Sequence, residues 1–282
     1  MRAKSQPTIV VVGAAGGIGK QVTLQLQRRA HVVVVVQNAA QKDEVSTLAD
    51  YSVECDLADD ESVQTTIASI DAHCASGIDG VVFCAAMQPV GPLELVARGE
   101  LESLFAINVF GTIQLIQGLL PKLRESRGRI VLFSSMAGRV AAPMIGAYAA
   151  SKFALEALAD VLRRELRLSG ISVSLIEPGG VDTPMATAQG RLVEETLSRL
   201  DAGLANLYGP LVRGYGAMAK FGLRYVSKPA RVAEVAVAAV MGPREPKARY
   251  IVGTDARLMI FLARLLPTRW LDALLMRATL GR

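Results

Sequence analysis

Thr8–Gly19 reads TIVVVGAAGGIG, a β-branched run that stops at a cluster of glycines. Thr, Ile and Val in a short unbroken run suit a buried strand. Residues 18–30 then carry a helical pattern. Strand, glycine turn and helix in that order make an anion site, because a helix N-terminus offers free N–H groups and the positive end of its dipole. Gly13 permits the tight turn, while Gly17 and Gly19, with Ile18 between them, let a pyrophosphate and the helix approach the backbone.

The same rhythm continues outward from this stretch. His31–Val36 (HVVVVV) reads as a second buried strand, and further strands are predicted at 51–55, 79–84, 129–134, 171–176 and 249–252. Helices are predicted between them at 60–76, 98–124, 146–169 and 229–242. Valine runs without polar alternation indicate strands covered on both faces. Strand and helix in alternation imply right-handed crossovers, hence an α/β fold with one doubly wound parallel sheet of about seven strands. No linker divides residues 1–282, so a single domain is expected, with ligands at the carboxyl ends of the strands. Residues 184–228 interrupt the rhythm with Leu204, Leu207, Tyr208, Tyr215, Met218, Phe221 and Tyr225 among glycines. Residues 255–282 form an apolar tail punctuated by arginines and Pro267.

Composition excludes several classes of protein. Hydrophobic residues make up 51% of the 282 and charged residues 20%, which argues against disorder. Three cysteines (Cys55, Cys74, Cys84) lack metal-ligand spacing, and two histidines are too few for a histidine metal centre, so no metal is expected. The odd cysteine count fits a reducing, cytoplasmic compartment. Net charge is +5, yet no basic run is interleaved with aromatics, so no nucleic-acid partner is expected. The start, MRAKSQPTIVVVG, lacks the pattern of a signal peptide, and no window has the unbroken apolar run of a spanning helix.

Chemistry gathers in GAYAASKFALEALADVLRREL (146–166), where Tyr148 and Lys152 stand one helical turn apart, with Ser135 upstream in LFSSMAG. Positions i and i+4 share a helix face, so phenol and ammonium can meet at one substrate. A nearby ammonium is expected to pull a phenol down from its usual pKa of about 10, toward the range of a working acid/base.

The glycine turn together with Ser135, Tyr148 and Lys152 resembles the short-chain dehydrogenases/reductases, closest to the retinol and hydroxysteroid dehydrogenase branch. VGAAGGIG, Asp56 in CDLADD, Asn108 in INVFG, SSMAG, YAASK and IEPGGVDTPM stand in that family's order. Two departures are Cys84 and Ala86, where asparagine and glycine are usual. The resemblance implies a Rossmann-type domain with a substrate-covering insertion (184–228) and a helical tail. It implies that Tyr148 is the acid/base, that Lys152 lowers its pKa and holds the nicotinamide ribose, and that Ser135 holds the substrate oxygen. It further implies that Asn108 anchors a relay water. Asp56, Leu57 and Ala85 would line the adenosine, and Pro178, Gly179, Val181 and Thr183 the nicotinamide. Gln37 and Asn38, uncharged at the end of the second strand, remove the carboxylate that selects NAD, and Lys42 could attract a phosphate, which favours NADP over NAD.

The expected activity is NAD(P)-dependent interconversion of an alcohol and a carbonyl on a hydrophobic steroid-, retinoid- or lipid-like substrate. The alternatives are a 3-oxoacyl-thioester reductase, a general carbonyl reductase, or a non-catalytic NADP-sensing protein. The tail admits three readings: a homodimer or homotetramer contact, a lid, or peripheral membrane contact with arginines at the headgroups.

Overall fold

The computed structural model describes residues 6–222, 226–243 and 245–281; Tyr225 lies outside them. Seven parallel strands form one sheet in the order β3-β2-β1-β4-β5-β6-β7. They are β1 (Thr8–Val12), β2 (His31–Val36), β3 (Tyr51–Glu54), β4 (Gly80–Phe83), β5 (Arg129–Phe133), β6 (Ser172–Pro178) and β7 (Arg249–Val252). The order reverses beside β1, which pairs with β2 on one side (Val12 opposite Val35) and β4 on the other (Val12 opposite Phe83). That reversal opens the crevice where ligands of doubly wound sheets bind.

The valine runs are continuous because both faces of the sheet are buried. Val10, Val12, Val33, Val35, Val81 and Phe83 pack on one face beneath α3 (Asp60–His73), α5 (Gly111–Ser126) and α6 (Gly146–Glu165). Their neighbours Ile9, Val11, Val32, Val34 and Val82 pack on the other with α1 (Gly17–Leu26) and α10 (Pro229–Met241). The run Arg98–Ser126, which joins α4 (Arg98–Phe105) to α5 through a π turn at Ala106–Phe110, is long and apolar enough to cross a membrane. Leu115, Leu119 and Leu123 nonetheless bury one side of it in the core, as in a sheet-covering helix.

Three details go beyond the sequence reading. A short helix, α2 (Ala39–Val45), sits between β2 and β3. The described part of 184–228 folds largely as α7 (Pro184–Thr187), α8 (Gln189–Ser198) and α9 (Ala202–Gly222). The tail divides at Pro267 into α11 (Thr254–Leu265) and α12 (Thr268–Leu280), because proline cannot donate the backbone bond that a continuing helix needs.

At the amino ends of the strands, His31 and His73 place their Nε2 atoms 3.0 Å apart, and the Tyr51 ring stacks on His73 at 4.0 Å. One imidazole must be neutral to accept from the other. Desolvation, and then His31, lower the His73 pKa from its ordinary 6.5. The unfolded chain therefore takes up this proton at higher pH than the folded one. The stabilisation is whole above about pH 6.5 and fades as pH falls through the folded value. Melting temperatures of the protein and His73→Gln are expected to converge as pH falls from neutrality to mildly acidic, and a pH-independent difference would refute this coupling.

Candidate active site

The glycine turn is tight by necessity. Gly13 adopts a left-handed φ of +78°, and a Cβ there would lie 2.6 Å from the Ala85 nitrogen. A Cβ on Gly19 would lie 2.1 Å from the Gly13 carbonyl oxygen, so helix and turn meet backbone to backbone. The N-terminus of α1 thus opens onto a cleft of about 1030 Å³. Gly17, Ile18 and Gly19 line it beside Leu57 and Ala85, and the free N–H groups of the helix start fit a dinucleotide pyrophosphate.

At the adenosine end, Gln37, Asp56 and Leu57 line the cleft. Asp56 Oδ1 accepts from the Ala58 N–H at 2.9 Å, which shapes its own turn. Asn38 does not line the cleft; its Oδ1 caps α2 by accepting from the Gln41 N–H at 3.1 Å. Lys42 lies 3.8 Å from Glu54, so it is turned to an ion pair on β3. Glu44, unremarked in the sequence, reaches this end of the cleft, where Lys20 pairs with it at 2.7 Å.

The chemistry stands on β5, the turn after it, and α6. Ser135 follows β5, and its Oγ accepts from the Ala137 N–H at 3.1 Å, which fixes the turn. Tyr148 and Lys152 share the inner face of α6 and are both buried, and with Ser135 they line the cleft. Lys152 Nζ donates to the Phe133 carbonyl at 2.8 Å and lies 5.6 Å from the centre of the Tyr148 ring. Burial lowers the Lys152 pKa to about 8, against the carboxylate of Glu156, which raises it. Burial pushes the Tyr148 phenol up to about 12, and the hydrogen bond from Ser135 is what lowers it. The expectation that Lys152 pulls the phenol down is therefore not met in this arrangement. Burial is the larger of the two causes and the Ser135 hydrogen bond the smaller, and the phenol keeps its proton at neutral pH.

Asn108 holds the chain on either side of it. It sits in the π turn, an irregularity frequent at functional sites, but its side chain is spent on structure. Its Oδ1 accepts from the Met87 N–H at 2.9 Å, while its amide donates to the Met87 carbonyl and to Ser151 Oγ, each at 3.0 Å. It ties the chain after β4 to α6 and is a positioning residue. Cys84, one of the two departures from the family pattern, continues β4 by donating its N–H to the Val12 carbonyl at 2.8 Å. Burial raises its thiol pKa, so the thiol stays protonated.

The turn after β6 is held from two sides. Gly180 N–H donates to Asp255 Oδ2 at 2.7 Å, and Val181 bridges Ser227 in parallel pairing. Pro178, Gly179, Val181 and Thr183 line the cleft. Thr183 Oγ1 accepts from the Ala186 N–H at 3.3 Å as the N-cap of α7, so its hydroxyl is already engaged. Asp255 escaped the sequence reading, since an acid in the first turn of a helix is ordinarily a dipole partner.

Behind Lys152, two carboxylates are buried together. Arg249 reaches Glu156 at 3.0 Å, Asp160 at 2.8 Å and Glu177 at 3.1 Å, and Arg139 reaches Glu177 at 3.4 Å. Desolvation and then Glu156 raise the Glu177 pKa. This network joins β6, β7, α6 and the turn bearing Ser135.

A nucleotide cradle at the sheet's switch point, beside Ser135 and the buried Tyr148 and Lys152, defines a dinucleotide-dependent oxidoreductase. The family model "short chain dehydrogenase" matches residues 7–192. "Uncharacterized oxidoreductase YbbO" of Escherichia coli K12 is 35% identical over 272 residues, covering 96% of this chain and 94% of its own. "Retinol dehydrogenase 5" of Homo sapiens is 31% identical over 287 residues, covering 96% and 88%. The crystal structure of a short-chain dehydrogenase from Burkholderia cenocepacia in complex with NADP superposes with a TM-score of 0.71 at 20% identity, covering 99% and 98%. The chain belongs to the short-chain dehydrogenase family and is an NAD(P)-dependent oxidoreductase.

Replacing Arg249 by Met would leave Glu177 and Glu156 without their nearest cation. The expected loss is about 3 kcal/mol by denaturant unfolding, as for other buried pairs deprived of one partner. An unchanged unfolding midpoint would show that the network carries no stability.

Proposed function

We propose that the protein interconverts a carbonyl and an alcohol on a long hydrophobic substrate of retinoid, steroid or lipid type, with Tyr148 as acid/base and NADP as the preferred cofactor. The observation that carries this reading is the apolar end of the cleft. Ile145, Met185, Met218, Ala219 and Phe221 line it around the wall that bears Ser135 and Tyr148. Apolar walls with a few convergent polar groups suit a greasy molecule held by one oxygen. The family likeness to retinol dehydrogenase 5 supports the same class.

Bound NADP supplies or accepts the hydride. In reduction, Tyr148 Oη gives its proton to the substrate oxygen, and the high phenol pKa keeps that proton available at neutral pH. The Ser135 hydroxyl holds the same oxygen and stabilises the charge that develops on it. The glycine turn holds the pyrophosphate, and Lys152 the nicotinamide ribose. NADP is favoured because no carboxylate ends β2 and Glu44, the acid nearby, is neutralised by Lys20 at 2.7 Å. Free Cys55, Cys74 and Cys84 support a cytoplasmic setting. Exposed Phe110, Phe153 and Val161 on the outer helices support assembly as a homodimer or homotetramer.

Retinal, steroid ketones, aliphatic ketones and 3-oxoacyl thioesters, each tried with NADPH and NADH, test the reading through the absorbance of the reduced nicotinamide. The expected result is turnover of the first two, faster with NADPH. Preference for the thioesters would replace the substrate class, and tight NADPH binding without any turnover would make the protein a sensor. Tyr148→Phe is expected to lower kcat about a thousandfold while NADPH still binds. Wild-type turnover by that variant would remove Tyr148 from the mechanism. Reduction is also expected to decline above about pH 8, as Lys152 loses its proton, with Lys152→Arg moving that limb upward.

A further inference from the structure

Helices α11 and α12 pack their inner sides on the body of the protein through Ala256, Ile260 and Thr279. Their outer sides are unlike an ordinary solvated surface. Arg257, Leu258, Phe261, Arg264 and Leu265 fall on one stripe of α11, and Trp270, Leu274 and Arg277 on one stripe of α12, with Arg269 beside them. Phe261 is 58% exposed, Leu265 63% and Trp270 70%. Single exposed apolar residues are normal, but five large ones gathered on two consecutive helices mark an interaction surface.

Charge says what covers it. None of the four arginines enters an ion pair among the described residues. Two carboxylates accompany them in these helices, and Asp255 is committed to the Gly180 N–H, which leaves Asp272. A second copy of the chain, meeting this face about a two-fold axis, would set arginine against arginine. A surface both apolar and anionic matches the pattern instead.

We propose that the α11–α12 face docks on an anionic lipid bilayer. Leu258, Phe261, Leu265, Trp270 and Leu274 enter the boundary between headgroups and acyl chains, and Arg257, Arg264, Arg269 and Arg277 lie on lipid phosphates. Indole suits this depth, since one edge is apolar and the N–H is wet. The docking stands on this face alone and does not depend on the substrate class proposed above.

Trp270 is the only tryptophan of the chain, so its fluorescence reports the face directly. The full-length protein is mixed with vesicles of phosphatidylcholine alone or with added phosphatidylglycerol. The expected result is a blue shift of Trp270 and co-sedimentation with the phosphatidylglycerol vesicles only, weakened by salt. Arg264→Gln with Arg269→Gln is expected to weaken partition about twenty-fivefold, taking about fivefold for each arginine. Phe261→Asp with Leu265→Asp is expected to abolish co-sedimentation while NADPH binding and the melting temperature persist. No shift with phosphatidylglycerol, or equal binding to both vesicles, would overturn the proposal. A blue shift that grows with protein concentration in the absence of lipid would assign the face to a second copy.

Discussion

Lys152 brings an ammonium into one of the most enclosed parts of the molecule, and the site is organised around keeping it there. An isolated buried cation is costly unless it is paired and hydrogen-bonded. The Phe133 carbonyl at the end of β5 accepts one of its protons at 2.8 Å, and Glu156 follows one turn later on the same helix. The first contact fixes α6 against β5, so Tyr148 on the same face comes to stand beside Ser135 on the turn after that strand. Glu156 in turn links α6 to Arg139 and Arg249, and through them to Glu177, hence to β6, β7 and the Ser135 turn. The buried ammonium and the carboxylate network behind it thereby hold in register the elements that carry the reacting groups.

The fold was largely legible because it follows from periodicity and burial. Strands with apolar residues on both faces leave continuous valine runs, and every strand predicted from them is found in its place. The short helix α2 was hidden because Asn38 and Gln41 read as polar loop residues until it is seen that Asn38 Oδ1 accepts from the Gln41 N–H and Gln41 Oε1 from the Gln37 N–H. The insertion gave its greasiness but not its helices, since Gly203, Gly209, Gly214 and Gly216 weaken helical propensity. The Thr279 backbone explains one of them: a Cβ on Gly214 would lie 1.9 Å from its carbonyl oxygen. That glycine serves a helix crossing, which local sequence cannot show.

Residues of the site were legible by identity and less so by task. Ser135, Tyr148 and Lys152 converge as their spacing implies, because a helix face and a strand end dictate it. Asn108, Asn38 and Thr183 each carry a polar group that the sequence offers to a ligand and the structure gives to backbone. Short polar side chains beside free N–H groups are captured locally, and whether capture wins depends on neighbours far away in sequence. Asp255 is the converse, a residue with an ordinary local role that reaches 75 positions back to hold Gly180.

Helix α9 links two parts of the molecule that the sequence presents separately. Its inner side contributes Tyr215, Met218, Ala219 and Phe221 to the cleft, and Gly214 meets the backbone of α12 on another side. Tyr215 is buried, and its hydroxyl donates to Gln189 of α8 at 2.9 Å, so α8 and α9 are held as a pair. Close backbone contact leaves little slack for sliding, because packed interiors respond to displacement by repacking and not by gradual deformation. A shift of α12 must therefore be felt by α9, and through α9 by the apolar wall opposite Tyr148. The tail thus belongs to the same mechanical unit as the substrate end of the cleft, just as Asp255 ties its first helix to the cleft-lining turn after β6.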